Sequence, residues 1–395
     1  MNRRPLVGWY VHHHGAGHRT RFEAIRRHLD ADVMVFSTLE APAVMATGTE
    51  WVRLDRDDRV ERTETGELLD PAAPDADASV GGLLHWAPLG HSGHASRLGM
   101  IAAALASHRF DAFVVDVSVE VTLLVRLFGV ATVVMTQPGE RVDQPHQLAF
   151  AAATRIVAPW PSALMLPRAL EEFREKTRFV GGISRFDGRL AAGQGVVWAG
   201  SGSSSSGGSD GGSDGSSEKR DDRGGLFSVL VLGGGGGSAV GPAEVRAAEE
   251  ATPGVRWRVL GVGGGEWCDD PFELMCDADV VVSWAGQNAV ADLAAARARA
   301  VVLPQERPFG EQDATAGALE AAGLAVVVRQ WPEPAEWPVL LREAAELTPD
   351  WGSWLTAGAA ARAAAVVAEV AGSTERQNGL VAGDTSAVVS GSGAQ

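Results

Sequence analysis

Residues 277–323 read DADVVVSWAGQNAVADLAAARARAVVLPQERPFGEQDATAGALEAAG, and this stretch decides the fold class. It begins with a run of valines at 280–282, which is typical of a buried parallel strand. A polar loop and an Ala/Leu-rich helix follow, and then a second strand at 300–303, a second loop and a second helix. Two successive strand–loop–helix units place both loops at the carboxyl ends of neighbouring strands, where open α/β sheets bind ligands.

The same alternation of strands and helices runs through residues 6–159 and resumes at residue 227. It predicts an α/β protein with two Rossmann-like, doubly wound domains that face a cleft. The interval between them is rich in Gly, Ser and Asp and is typical of a flexible coil. The predicted domains are an N-terminal domain at 1–186, a linker with a disordered Gly/Ser-rich insertion at 187–225, a C-terminal domain at 226–371 and a disordered tail at 372–395.

Composition narrows the class of protein. The chain has 395 residues, of which 45% are hydrophobic, and a formal net charge of −16, which argues against general binding to nucleic acid. Its two cysteines, Cys268 and Cys276, suggest neither a disulfide framework nor a zinc site. No signal peptide is apparent, and charged residues interrupt the most apolar window, 112–135. We therefore expect a cytoplasmic protein without a transmembrane segment, whose membrane contacts, if any, are peripheral.

The first-domain loop after the first strand contains Gly15, Gly17 and His18. Its glycines allow a close approach of backbone to ligand, and the positive end of the helix dipole favours a neutral imidazole, as a general base requires. The alternative is a polar His that only caps the helix. Asp116 and Gln137, each near the end of a first-domain strand, are placed either to contact an acceptor or to stabilise the fold.

The second-domain loops have complementary chemistry. The five glycines at 233–237, including Gly234 and Gly235, could hold phosphate or form a mobile turn. The loop at 283–288 precedes a helix whose free amides could bind a diphosphate. Asp292 lies one turn further along the same helix face, where a carboxylate can accept hydrogen bonds from a ribose or be solvated. Glu311 and Gln312 open the next helix, where Glu is also a common capping residue.

These segments resemble the donor-binding half of GT-B glycosyltransferases with a family 28 C-terminal domain, which include the bacterial enzyme that forms lipid II. The resemblance implies a nucleotide-sugar site in the second domain. The implied contacts to the base are an aromatic contact from Trp267 and hydrogen bonds from the uracil to the backbone around Cys268. The implied ligands of the diphosphate are Gly286, Gln287 and Asn288, with further phosphate contacts from Gly234, Gly235 and Arg185. Asp292 would bind the ribose, and Glu311 and Gln312 would bind the sugar hydroxyls. In that family the ribose residue is usually Glu, which is one methylene longer than Asp292.

Residues 15–21 resemble the GxGHxxR loop of related bacterial glycosyltransferases. The resemblance implies an inverting, metal-independent hexosyltransferase in which His18 is the general base. The implied donor substrate is a nucleotide-sugar, and we expect a UDP-sugar with a hexose-type sugar such as an N-acetylhexosamine. No cofactor is expected to be required. Hydrolases and epimerases of the same fold, and a non-catalytic nucleotide-sugar-binding protein, remain alternatives.

The partners and metals are less well defined by the sequence. Three kinds of acceptor are compatible with the sequence: a lipid-linked molecule, a natural product and a polysaccharide precursor. All ten histidines lie at or before residue 146, and their spacing matches no metal-ligand template. We therefore predict no metal site, and we expect some of these histidines to line the acceptor side of the cleft.

Overall fold

The computed structural model describes residues 3–62, 66–189, 226–233, 240–263 and 265–385, with side chains described as far as residue 374. Within these ranges the chain forms two α/β domains, each built around a parallel sheet. The predicted fold class is therefore confirmed. The Gly/Ser-rich interval from residue 190, Gly234, Gly235 and residues 386–395 lie outside the described residues, so the predictions for them stay predictions.

The first domain alternates strands and helices along the chain. Its strands are β1 (Leu6–Tyr10), β2 (Asp32–Ser37), β3 (Thr49–Arg53), β4 (Glu61–Arg62), β5 (Leu68–Leu69), β6 (Ala112–Asp116), β7 (Thr132–Met135), β8 (Arg155–Ala158) and β9 (Thr177–Phe179). Its helices are α1 (Gly17–Arg26), α2 (Ser92–Ser107), α3 (Val119–Leu127) and α4 (Gln144–Ala152). The sheet has the order β3-β2-β1-β6-β7-β8-β9, and β4 pairs with β5 separately.

The second domain repeats this plan with a smaller sheet. Its strands are β10 (Phe227–Leu232), β11 (Val255–Leu260), β12 (Val280–Trp284), β13 (Ala300–Leu303) and β14 (Val326–Val327). The helices that follow in the chain are α5 (Pro242–Glu250), α6 (Phe272–Asp277), α7 (Gln287–Ala296), α8 (Glu311–Ala321), α9 (Trp337–Glu346) and α10 (Ala359–Thr385). The sheet order is β11-β10-β12-β13-β14, and every pair in it is parallel.

In each sheet the order of the strands reverses at one point, and parallel sheets bind ligands at such points. In the first sheet the change lies between β1 and β6, which are neighbours, and in the second it lies between β10 and β12. A crevice opens at the carboxyl ends of the strands at such a switch point. His18 follows β1 and Asp116 ends β6, so the fold brings these two residues of distant sequence together.

The central strands are apolar on both faces because helices cover both sides of each sheet. Val280, Val281 and Val282 are each 0% exposed, although their side chains alternate between two separate apolar clusters. A strand buried on both faces needs a continuous run of valines instead of an alternating pattern. The valine run at 280–282 is thus explained by the two-sided covering of the second sheet.

Helix α10 corrects the predicted domain boundaries. Residues 359–371 pack into the core of the first domain, against Trp9, Val114 and their neighbours, and not into the second domain as predicted. The helix then continues to Thr385, so the disordered tail predicted from residue 372 is wrong for residues 372–385. The segment Trp351–Thr374 is long and apolar enough to cross a membrane, but half of its most apolar window is buried inside the protein. A core helix passes the same test of length and composition.

Two chain segments cross between the domains side by side. The Gly182 N–H donates to the Trp354 carbonyl at 3.1 Å. Gly181 has a φ of 83°, and a Cβ there would lie 2.1 Å from the Leu355 carbonyl oxygen, so only glycine fits. This close backbone contact holds the two crossings together and forms the connection about which the domains meet.

Candidate functional site

A cavity of about 330 Å³ lies in the cleft between the domains. It is lined by the start of α1 on one side and by the starts of α7 and α8 on the other. Most predicted site residues line it: Gly15, Gly17, His18, Gln137, Arg185, Trp267, Cys268, Gly286, Gln287, Asn288, Asp292, Glu311 and Gln312. A larger cavity of about 910 Å³, near Arg109 and Arg155, contains none of them, so we assign the site to the cleft.

His18 is held in place by two buried partners. Its Nδ1 lies 3.0 Å from an Asp116 carboxylate oxygen, and Arg21 donates to the other oxygen of Asp116 at 2.6 Å. Arg21 Nη2 is also 3.1 Å from His18 Nδ1. A carboxylate on Nδ1 favours the tautomer that carries its proton there. The other nitrogen, Nε2, is then unprotonated and can accept a proton from a substrate.

Asp116 is buried beside His18 and Arg21. Its side chain is 2% exposed and is not among the residues that line the cleft cavity, whereas Gln137 is, so the predicted acceptor contact of Asp116 stays a prediction. Burial alone would raise the pKa of Asp116, but Arg21 and His18 stabilise the carboxylate and lower that pKa to about 2. Asp116 is therefore ionised throughout the physiological range and can stabilise a protonated His18.

The start of α7 closes against the first-domain loop. Gly286 is the residue before the helix, and the helix begins with Gln287 and Asn288. The Asn288 side-chain amide donates to the Gly17 carbonyl at 2.8 Å, and the Gln287 side-chain oxygen accepts from Arg21 at 3.0 Å. The free amides at this helix start therefore lie directly across the cleft from His18, where a diphosphate can bind.

Asp292 is tied to the chain segment that leaves the first domain. Ser184 donates to one of its oxygens at 2.6 Å, and Arg185 Nε donates to the other at 3.3 Å. Arg185 also donates to the Asp269 carbonyl at 2.9 Å. Burial raises the pKa of Asp292 to about 6, although Ser184 and Arg185 act to lower it. Asp292 and Arg185 thus form one unit at the floor of the cleft.

Replacing Asp292 with asparagine is expected to remove a pH-dependent part of the stability. A folded pKa of about 6, raised from 3.8, means that the folded state binds the proton more tightly. This contribution is fully present below pH 3.8 and is lost as the pH rises through 6. The free energy of unfolding of the wild type relative to Asp292→Asn should fall by up to about 3 kcal/mol between pH 4 and pH 7.

Urea unfolding of both proteins at half-unit pH steps measures this difference. Between pH 7 and pH 8 the difference should be constant, because the carboxyl group is then ionised in both states, and this range serves as the internal control. A difference that is flat or that rises from pH 4 to pH 7 would contradict the assignment.

The segment to which the resemblance assigns base recognition, around Trp267 and Cys268, lines the cavity. Trp267 is 57% exposed, and its indole N–H donates to Asp269 at 2.7 Å, which fixes the ring while leaving its face accessible. Cys268 lines the same wall and is a free thiol, as is Cys276. This arrangement has the accessible aromatic face and adjacent backbone that the resemblance implied.

Glu311 and Gln312 open α8 at the other end of the cavity. The Gln312 side-chain oxygen accepts from the Gln305 N–H at 2.9 Å, which fixes the amide. Glu311 faces the first domain, with its carboxylate 3.9 Å from Arg141. Burial raises the pKa of Glu311, and Arg141 opposes this shift. Gln137 is held by Arg141 at 3.0 Å, so the same arginine contacts residues of both domains.

Histidines come together in two places, despite a spacing that predicted no metal site. One group is His13, His14 and Asp58, and the other is His85, Asp143 and His146. In the second group both nitrogens of His146 already have partners, Asp143 at 2.6 Å and Arg141 at 2.9 Å. In the first, Asp58 is paired with Arg56. One carboxylate of the first group and one imidazole of the second are thus already engaged, and the absence of a metal site stays a prediction.

The sequence indicated some contributors to the site only faintly. Arg21 follows His18 by three residues on the same helix face, which signals proximity but not its bond to Asp116. Ser184 carries no signal, because its partner is 108 residues away. Arg307 lines the cavity after β13, in the loop that the sequence associated with Gln312.

Comparison with known proteins agrees with this geometry. A family model for the glycosyltransferase family 28 C-terminal domain matches residues 265–337, which contain Trp267, Cys268, α7 and α8. A comparison with curated protein sequences gives no significant match.

Solved structures with the same fold cover nearly the whole chain. The glycotransferase of kitacinnamycin is 16% identical, with a TM-score of 0.58, over 93% of this chain and 100% of that one. Acinetobacter baumannii MurG is 14% identical, with a TM-score of 0.57, over the same shares. Phytolacca americana UGT2, complexed with UDP-2fluoro-glucose and pterostilbene, is 13% identical, with a TM-score of 0.56, over 95% of each chain. Residues 265–337 therefore match the family 28 C-terminal domain, and the chain as a whole has the two-domain fold of GT-B glycosyltransferases.

Proposed function

We propose that this chain transfers a hexose-type sugar from a UDP-sugar to an acceptor hydroxyl, with inversion at the anomeric carbon. His18 Nε2 takes the proton of the acceptor hydroxyl, whose oxygen forms a bond to the anomeric carbon. The bond from that carbon to the diphosphate breaks, and UDP leaves with the electron pair. Attack from the face opposite the leaving group inverts the configuration.

The observation that carries the proposal is the position of His18. It lies in the cleft on the first-domain side, has Nδ1 3.0 Å from Asp116 and faces the start of α7 on the other domain. A general base needs a fixed imidazole with a free nitrogen, and a departing diphosphate needs amides or cations opposite it. The first-domain loop and α7 supply these two requirements from opposite walls of one cavity.

The donor side follows from the second domain. Trp267 offers an aromatic face to the base, Asp292 a carboxylate to the ribose, and Gln312 a side-chain amide to the sugar. Arg185 and Arg307, with the α7 amides, supply positive charge for the diphosphate, so we propose that transfer needs neither a metal ion nor a cofactor. One of the similar structures holds UDP-2fluoro-glucose, which supports uracil as the base.

Thermal shift with UDP, GDP and dTDP tests the donor. We expect UDP to give the largest rise in Tm, since a ligand at 100 times its Kd adds about 2.7 kcal/mol of stability. Trp267→Ala should raise the Kd of both UDP and uridine by about 2- to 10-fold, the equivalent of about 0.5–1.5 kcal/mol of aromatic contact. Inorganic pyrophosphate, which lacks the base, serves as the matched control and should bind the two proteins equally.

Product analysis then separates transfer from its alternatives. Sugar should appear on the acceptor and turnover should survive EDTA. Free sugar released from the donor at a comparable rate without acceptor would instead indicate a hydrolase. UDP binding without any turnover across a broad acceptor panel would indicate a binding protein.

A further inference from the structure

Another cavity, of about 490 Å³, lies beside His18 between first-domain residues and Phe309 of the second domain. It shares one wall residue, His14, with the cleft cavity. The His12 ring in its wall is 5.5 Å from the His18 ring, measured between centroids. Its volume is within the range of pockets that hold small organic ligands. A molecule in this cavity would therefore have one end next to the proposed general base.

Flat rings form much of the cavity wall. His12 and His13 stack at 4.9 Å with an interplanar angle of 6°, and Trp86 lies in the wall with its N–H bonded to the Asp57 carbonyl. Phe309 comes from the second domain and contacts His85 at 5.5 Å. The Phe309 carbonyl accepts from the Glu140 N–H at 2.8 Å, so the second domain supplies a fixed part of this wall. Such walls favour a ligand with an aromatic ring.

The charges of the cavity disfavour an anionic ligand. Its described lining residues include three carboxylates, from Asp57, Asp58 and Glu120, and one guanidinium, from Arg97. Arg97 is already paired with Asp57 and donates to the Tyr10 hydroxyl at 2.6 Å. Burial lowers the pKa of both His12 and His13, so these rings are neutral at neutral pH. A phosphate group entering here would meet an excess of negative charge.

The ring nitrogens of His13 favour a ligand that carries a hydroxyl group. Its side chain is 5% exposed, and both ring nitrogens are buried without a hydrogen bond; Nε2 is 3.4 Å from Asp58. A neutral imidazole has one donor and one acceptor, and leaving them unpaired is costly. A ligand hydroxyl can both donate and accept, and so could satisfy a nitrogen in either tautomer.

We propose that this cavity binds the acceptor, and that the acceptor is a compact aromatic molecule with hydroxyl groups and no anionic group. The inference rests on the proposed transferase function and narrows it. One hydroxyl would reach His18 past His12 and His14, while the ring lies between Trp86 and Phe309. A lipid-linked diphosphate, in contrast, would bring negative charge to Asp57, Asp58 and Glu120.

Calorimetric titration of the full chain with UDP present tests the proposal, with pterostilbene as the neutral aromatic probe and farnesyl diphosphate as the anionic one. Pterostilbene should bind at least about tenfold more tightly, because like charges across an interface cost several kcal/mol. Phe309→Ala should raise the Kd of pterostilbene by about 3- to 10-fold. Phe128→Ala, at an exposed ring beyond the end of α3, should leave it unchanged.

Asp58→Asn provides a second readout that does not depend on an aromatic contact. It removes one carboxylate of the cavity wall and should raise the affinity for farnesyl diphosphate relative to the affinity for pterostilbene. UDP binding reports on folding of every variant. The acceptor inference is wrong if the protein binds UDP but binds farnesyl diphosphate at least as tightly as pterostilbene. It is also wrong if Phe309→Ala does not change the affinity for pterostilbene. If the wild type does not bind UDP, the proposed function itself fails.

Discussion

Replacing His18 with alanine should lower kcat for sugar transfer by about 10²- to 10⁴-fold, the usual contribution of a general base. The acceptor hydroxyl would then lose its proton only to solvent. Binding of UDP should stay within about twofold, since the base, ribose and diphosphate contacts come from the second domain. Steady-state kinetics and calorimetric UDP titration on the same protein preparation separate these two effects.

His28→Ala is the matched control for this variant. His28 is exposed and follows the end of the same helix, α1, so its replacement tests whether loss of any imidazole near α1 affects turnover. It should leave kcat and UDP binding unchanged. Equal kcat for His18→Ala and the wild type would exclude His18 as the base.

Replacing Asp116 with asparagine should reduce both turnover and stability. Loss of the carboxylate disturbs the His18 tautomer, and the corresponding change in a serine-protease triad lowers kcat by about 10⁴-fold. It also leaves Arg21, whose side chain is 3% exposed, without its buried counter-charge. Breaking a buried ion pair from one side costs about 3–5 kcal/mol. Urea unfolding at pH 7 and kcat at a temperature where the variant is folded measure the two effects.

Asp111→Asn distinguishes a catalytic effect from a general loss of stability. Asp111 is equally buried and directly precedes β6, which Asp116 ends, but its partner Arg3 is half exposed. This control should lose some stability and keep its kcat. If both variants show the same ratio of kcat loss to stability loss, Asp116 has no specific role in orienting His18.

The strand and helix pattern was readable because each element has a strong local signal. The valine run at 280–282 and the Ala/Leu helix after it predict β12 and α7, and their order alone places Gly286 and Asp292 at the carboxyl edge of the sheet. The position of His18 follows in the same way from the strand before it. Local periodicity and loop position therefore suffice for much of the cleft.

The contacts that were missed depend on residues far apart in the sequence. Asp116 could equally contact an acceptor or a neighbour, and only the pairing of β1 with β6 decides that it meets His18 and Arg21. Ser184 and Asp292 meet because the chain segment that leaves the first domain packs against α7. Helix α10 is rich in alanine on all sides, so nothing in its composition indicates which domain it covers.

The path of α10 has a consequence for synthesis on the ribosome. Residues 359–371 complete the core of the first domain, yet they follow the whole second domain in the chain. At about 5–20 residues per second, the roughly 180 residues between the two parts of this core take about 10–40 s to make. During that interval Trp9 and Val114 lack their covering helix, and the strands of the second domain are all made before that helix. The apolar surface of the nascent first domain therefore stays accessible to chaperones until α10 is made. We expect the domain that is synthesised first to complete its folding last.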